Sequence, residues 1–172
     1  MSQDFEAAVG LVLSFEGGYS NHTKDPGGAT NYGISLRFLR GIEPDATEDD
    51  IRKMTLVRAK ALYREHFWDS IRGDDLPYSI ALGVFDSAVN QGVGYASRTL
   101  QNVVAAKEDG RIGPQTVAAV LARTGGTWER HDLLVNFFAK RAMGYALNKN
   151  IRTFGLGWFR RLLRVFLYCV LA

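Results

Sequence analysis

The stretch EGGYSNHTKDPGGATNYGIS, residues 16–35, is the longest part of the 172-residue chain without helical periodicity. It is polar and rich in Gly, Asn and Asp. Asp25-Pro26 favours entry into a turn, and Gly27-Gly28 let the backbone reverse sharply. Residues 19–34 therefore read as a loop or, at most, a small hairpin. On the N-terminal side Phe5, Val9 and Val12 recur at helical spacing, and Gly17-Gly18 stop that first helix. On the C-terminal side nearly everything is helical, so the fold class is mainly α.

Further out, Thr47 with Asp50 has the form of a capping box, and Leu56, Ala59, Leu62, Tyr63 and Phe67 make an amphipathic stripe. Ile80 to Val89 is a strongly apolar run that closes at Gly92, as a central core helix does. Another helix is expected from about Tyr95 to Ala106. Pro114 suits the first position of the next, and Thr127 is expected to cap a long one reaching about Leu147. From Trp158 to Ala172 apolar pairs return every four residues. The organisation expected is a catalytic part over residues 1–95 and a helical part over 96–172 packed on the same globule.

Composition narrows the function classes. Hydrophobic residues at 47% and charged residues at 23% describe an ordinary globule with a real core. A net charge of +3 suits an anionic partner, but it is too small and too evenly spread to argue for nucleic acid. One cysteine, Cys169, excludes an internal disulfide. The first residues carry acids where a signal peptide carries bases, and no apolar run approaches the ~20 residues that span a bilayer. His22, His66 and His131 are scattered, so neither metal nor cofactor is expected. Arg160, Arg161 and Arg164 amid apolar residues leave two readings of the last helix. A helix docked on the core is favoured over a membrane-surface helix, and stable insertion is not expected.

The chemistry is concentrated around Glu16. It continues the Phe5, Val9, Val12 stripe at the C-terminal end of a helix, so desolvation and the helix dipole both disfavour its anion. A carboxylic acid kept protonated is what a glycosidic oxygen needs from a proton donor; a glutamate fraying outward is the bland alternative. Eight residues separate Glu16 from Asp25, and four separate Asp25 from Thr30. A loop folding back sets two carboxylates across one bond, the equipment of glycoside hydrolysis, whereas a turn-capping aspartate is the alternative. Tyr19, Asn31, Tyr32, Asn90 and Gln91 are candidate sugar contacts, with core packing for the tyrosines and helix capping for Asn90-Gln91 as the alternatives. Asp86, inside an apolar helix, reads as a buried, hydrogen-bonded structural acid in preference to a group that supports the cleft from behind.

Residues 16–35 closely resemble the signature of glycoside hydrolase family 108, the N-acetylmuramidases of phages and bacterial secretion systems. Phe67-Trp68, Asp75-Leu76-Pro77 and Phe85-Asp86-Ser87-Ala88-Val89-Asn90-Gln91-Gly92 are similar to later family segments. Asp109-Gly110-Arg111-Ile112-Gly113-Pro114-Gln115-Thr116 and Gly157-Trp158-Phe159-Arg160-Arg161 resemble the peptidoglycan-binding part that family members often carry. The resemblance implies a lysozyme-like fold, cleavage of the β-1,4 bond between N-acetylmuramic acid and N-acetylglucosamine, and Glu16 as general acid. Glu16, Asp25 and Thr30 are also similar to the triad of phage-type lysozymes, with a one-residue departure that leaves Thr30 and Asn31 as alternatives for the third place.

An inverting mechanism is expected, with Asp25 and Thr30 holding water. A lytic transglycosylase and a non-catalytic wall-binding module are the rivals. The expected partner is the peptidoglycan glycan strand, met by a monomer. The expected route to it is synthesis in the cytoplasm followed by holin- or secretion-dependent release to the wall.

Overall fold

The computed structural model describes residues 2–21 and 28–172. In chain order the elements are α1 (Gln3–Phe15), a hairpin of β1 (Thr30–Asn31) and β2 (Ile34–Ser35), then α2 (Leu36–Arg40), α3 (Glu48–Arg52) and α4 (Leu56–Tyr63). A π-helical turn (Arg64–Trp68) and a 3-10 turn (Gly73–Asp75) lead to α5 (Tyr78–Gln91), α6 (Val93–Val103), α7 (Pro114–Ala122), α8 (Thr127–Ala146) and α9 (Ile151–Leu171). The mainly α fold with a single small hairpin among the described residues agrees with the sequence reading. Two compact units divide the chain: Glu6–Arg64, and the residues up to Phe5 together with Glu65–Ala172.

In the smaller unit, local chemistry fixes the short helices. Thr47 accepts from the Asp50 N–H while the Asp50 carboxylate accepts from the Thr47 N–H, a complete capping box on α3. Ser35 and Thr55 cap α2 and α4 through their hydroxyls. The antiparallel hairpin pairs Thr30 with Ser35 and Asn31 with Ile34, leaving Tyr32 and Gly33 as its two-residue loop.

The larger unit is built around α5, whose residues from Ser79 to Ala88 are all buried. Helices α6, α8 and α9 pack on it. At one end Phe5, Trp68 and Phe85 meet edge to face with ring centres 5.4–6.2 Å apart. Trp68 also donates its indole N–H to Asp74 at 2.9 Å. Such a cluster stabilises beyond its buried area because each positive ring edge meets a negative face.

Three boundaries differ from the sequence reading. The cap of α8 is Gly126 in extended backbone, and Thr127 is its first helical residue, so Thr127 does not cap. Helix α6 starts at Val93, immediately after Gly92, and closes at Val103 ahead of Ala105, which adopts a left-handed φ of 55°. Helix α9 begins at Ile151 and runs through Gly155 and Gly157, although glycine is unfavourable in helices; Gly155 is buried within it.

Candidate active site

Helix α1 ends at Phe15, so Glu16 is the first residue beyond it, half-buried, with its N–H donating to the Leu13 carbonyl at 3.1 Å. The hairpin loop supplies its neighbour. Tyr32 and Gly33 both have positive φ, 49° and 75°, the combination a type I′ turn requires. A methyl group at Gly33 would lie 2.8 and 2.9 Å from Cγ and Cδ of Glu16 and would overlap the Tyr63 hydroxyl. Only glycine satisfies both the backbone angle and this approach.

Tyr63, fully buried on α4, donates its hydroxyl to the Tyr32 carbonyl at 3.0 Å. The left-handed conformation costs Tyr32 roughly 1–2 kcal/mol. A net hydrogen bond of about 1 kcal/mol from Tyr63 offsets much of it. Glu16, Gly33, the Tyr32 carbonyl and the Tyr63 hydroxyl thus form one cluster, drawn from the end of one helix, a hairpin tip and a second helix.

The other candidates on this unit have distinct placements. Tyr19 is exposed, and the Arg52 guanidinium lies 5.5 Å above its ring while donating to its hydroxyl at 3.5 Å. Thr30 and Ser20 exchange backbone hydrogen bonds at 2.9 Å in both directions, and the Thr30 hydroxyl donates to Gly28 at 3.3 Å. Asn31 is buried, its amide donating to the Ile51 carbonyl at 3.1 Å, which ties the hairpin to α3. Its side chain is thereby occupied in the frame. Asp25 and His22 lie outside the described residues.

Asn90 and Gln91, near the end of α5, belong to the larger unit and to a buried polar network there. Asp86 has no exposure and accepts from Arg141 Nη2 and from Arg161 Nε, each at 2.8 Å. Arg141, itself fully buried, also donates to Gln91 Oε1 at 2.9 Å. The Tyr145 hydroxyl donates to Asn90 Oδ1, and burial pushes that phenol's pKa up, keeping it a donor. Asp86 is therefore the structural acid its sequence context suggested.

A cavity of about 320 Å³ opens beside this network, lined by Asn90, Gln91, Tyr95, Asn148 and Trp158, with Trp158 stacked on Tyr145 at 5.3 Å. An aromatic face beside amide groups is a surface that suits a sugar ring and its N-acetyl group.

The Asp109–Thr116 segment has a clear folding role. Buried Gln101 donates to Asp109 at 2.8 Å and to the Arg111 carbonyl at 3.0 Å, and it accepts from the Gly110 N–H at 2.9 Å. The bond from Gln101, reinforced by the Arg111 N–H, holds the Asp109 carboxyl below the usual carboxylate range. Among the described residues no group of three His, Cys, Asp or Glu side chains is placed to hold a metal.

Sequence reasoning did not single out Tyr63 or Arg141. Tyr63 sat in an apolar stripe, and its hydroxyl was the only signal. Arg141 followed Lys140 like any surface cation, and only the buried Asp86, 55 residues earlier, called for a partner.

The model of the glycosyl hydrolase 108 family matches residues 9–92. Among solved structures, that of Brucella abortus SagA is similar to this one at 35% sequence identity and a TM-score of 0.88, covering 96% of this chain and 93% of that one. No curated protein matches the chain.

Proposed function

The chain belongs to the glycosyl hydrolase 108 family and is a glycoside hydrolase with a lysozyme-like fold, and on that premise we propose that it is an N-acetylmuramidase with Glu16 as general acid. The observation that carries this reading is the close approach of Gly33 to the Glu16 carboxyl, with the Tyr63 hydroxyl on the same cluster. A flexible glutamate at a helix end has no need of a glycine in a left-handed turn against it. One that must meet a glycosidic oxygen repeatedly in the same orientation does, because a general acid works only within hydrogen-bond reach of the leaving atom.

In this reading Glu16 protonates the oxygen leaving N-acetylmuramic acid as positive charge develops at the anomeric carbon. Asp25 takes a proton from water attacking the opposite face, and the product anomer is inverted. That geometry requires roughly 6.5–9.5 Å between the two carboxyl groups, enough for the water. Thr30 assists in holding the water. In the smaller unit Tyr19 and Tyr32 contact the glycan; in the larger unit the amides of Asn90 and Gln91 do so at the cavity they line.

The test compares Glu16→Gln and Asp25→Asn on purified peptidoglycan, with the anomer formed first followed by proton NMR. The reading expects both variants to be inactive and the wild type to release the α-anomer. An active Asp25→Asn variant yielding anhydro sugar ends would make the enzyme a lytic transglycosylase, in which Glu16 acts alone. Retained β-configuration would make Asp25 a nucleophile.

A further inference from the structure

Helix α9 carries two apolar rows, and the fold uses one. Gly155, Leu162, Val165 and Cys169 form the buried row that docks on α5 and α8. Leu156, Leu163, Leu167 and Leu171 lie on the opposite side at helical spacing and are 67%, 60%, 58% and 84% exposed. Beside them, an apolar groove of about 340 Å³ runs between α8 and α9, lined by Val135, Phe138, Ala139, Leu163 and Phe166. A contiguous apolar surface of this kind marks an interaction site.

The charges on the helix select the partner. Helix α9 contains Arg152, Arg160, Arg161 and Arg164 and no acidic residue. Arg161 is engaged with Asp86, while Arg152, Arg160 and Arg164 are exposed among the free leucines. A two-fold contact with a second copy presents the same surface twice, so it would set these arginines against each other with no acid on α9 to meet them. An anionic lipid surface meets both features. Leucines enter the boundary between head groups and acyl chains, and the arginine stems lie along the apolar surface while their guanidinium groups reach phosphates. No helix among the described residues is long and apolar enough to cross a membrane, so the contact is peripheral.

We propose that the outward face of α9, with the adjoining α8 groove, is a docking surface for anionic phospholipid membranes, independent of the glycan chemistry at Glu16. It would hold the enzyme at the bilayer beside the wall it degrades. The test is co-sedimentation of the full chain with vesicles of phosphatidylcholine alone or mixed with phosphatidylglycerol, at low and high salt.

The wild type is expected to favour the anionic vesicles by on the order of tenfold to a hundredfold, and to lose that preference as salt rises. Leu163→Ser/Leu167→Ser and Arg152→Ser/Arg164→Ser should each lose at least about tenfold of the binding. Both should keep wild-type thermal unfolding and wild-type activity on lipid-free peptidoglycan. Equal binding to neutral vesicles, no binding, or binding untouched by both double variants would overturn the proposal. So would a concentration-dependent dimer, without lipid binding, that Leu163→Ser/Leu167→Ser dissociates.

Discussion

Two carboxylic acids of this chain sit at opposite extremes of environment. Asp86 has no solvent exposure and is held by two guanidinium groups at 2.8 Å. Glu16 is half-buried just beyond a helix end, close against the glycine of a hairpin turn. The first acid is neutralised by its own protein and can do no chemistry. The second is held in place at a partly exposed position, as a proton donor that must reach a substrate has to be. A buried charge speaks for architecture, and a positioned, accessible one speaks for function.

Exchanging each acid for its amide is the strongest way to sharpen the contrast. Glu16→Gln should leave thermal unfolding unchanged and lower peptidoglycan hydrolysis by roughly 10²–10⁴-fold, the usual worth of a general acid. Asp86→Asn should do the reverse to stability, because Arg141 and Arg161 lose their shared counter-charge. Removing one partner of a buried pair costs about 3–5 kcal/mol, which urea unfolding would read directly. A stable Asp86→Asn protein with wild-type activity would break the comparison.

Smaller effects probe how Glu16 is held. Gly33→Ala forces a side chain into a left-handed turn and against the Glu16 carboxyl, so kcat should fall more than about tenfold with a stability loss of about 1–3 kcal/mol. Tyr63→Phe removes only the hydroxyl that supports the Tyr32 carbonyl. It should cost about 1 kcal/mol in chemical denaturation, with a smaller loss of kcat than Gly33→Ala.

The smallest effect is a pH dependence within the unit that contains Asp86. Burial pushes the Cys169 thiol up from 9.0 to about 12, with the Asp86 charge acting in the same direction. A raised folded-state value means that the stabilising contribution is complete below about 9 and is lost as pH rises toward 12. Cys169→Ala should therefore lose stability less steeply with pH across that window. The native thiol should also resist alkylation at pH 8 until the protein is unfolded.

The parts legible in the sequence were those set by local rules. Helix α5 and its stop at Gly92 followed from apolar periodicity, and the capping box at Thr47 and Asp50 and the place of Pro114 followed from spacing. Glu16 stood out as a candidate because helix position and loop composition pointed to the same residue. The hairpin tip was not, since nothing within residues 16–35 says that Gly33 will rest against Glu16 and a tyrosine from α4. Arg141 was hidden for the same reason: its burial depends on a partner 55 residues away. The start of α9 was obscured because Gly155 lowers local helix propensity where tertiary packing overrides it.

The most direct test of the central claim is mass spectrometry of soluble fragments released from purified peptidoglycan by the wild type and by Glu16→Gln. The account predicts fragments ending in reducing N-acetylmuramic acid from the wild type and none from the variant. Equal release by a folded Glu16→Gln protein would contradict it.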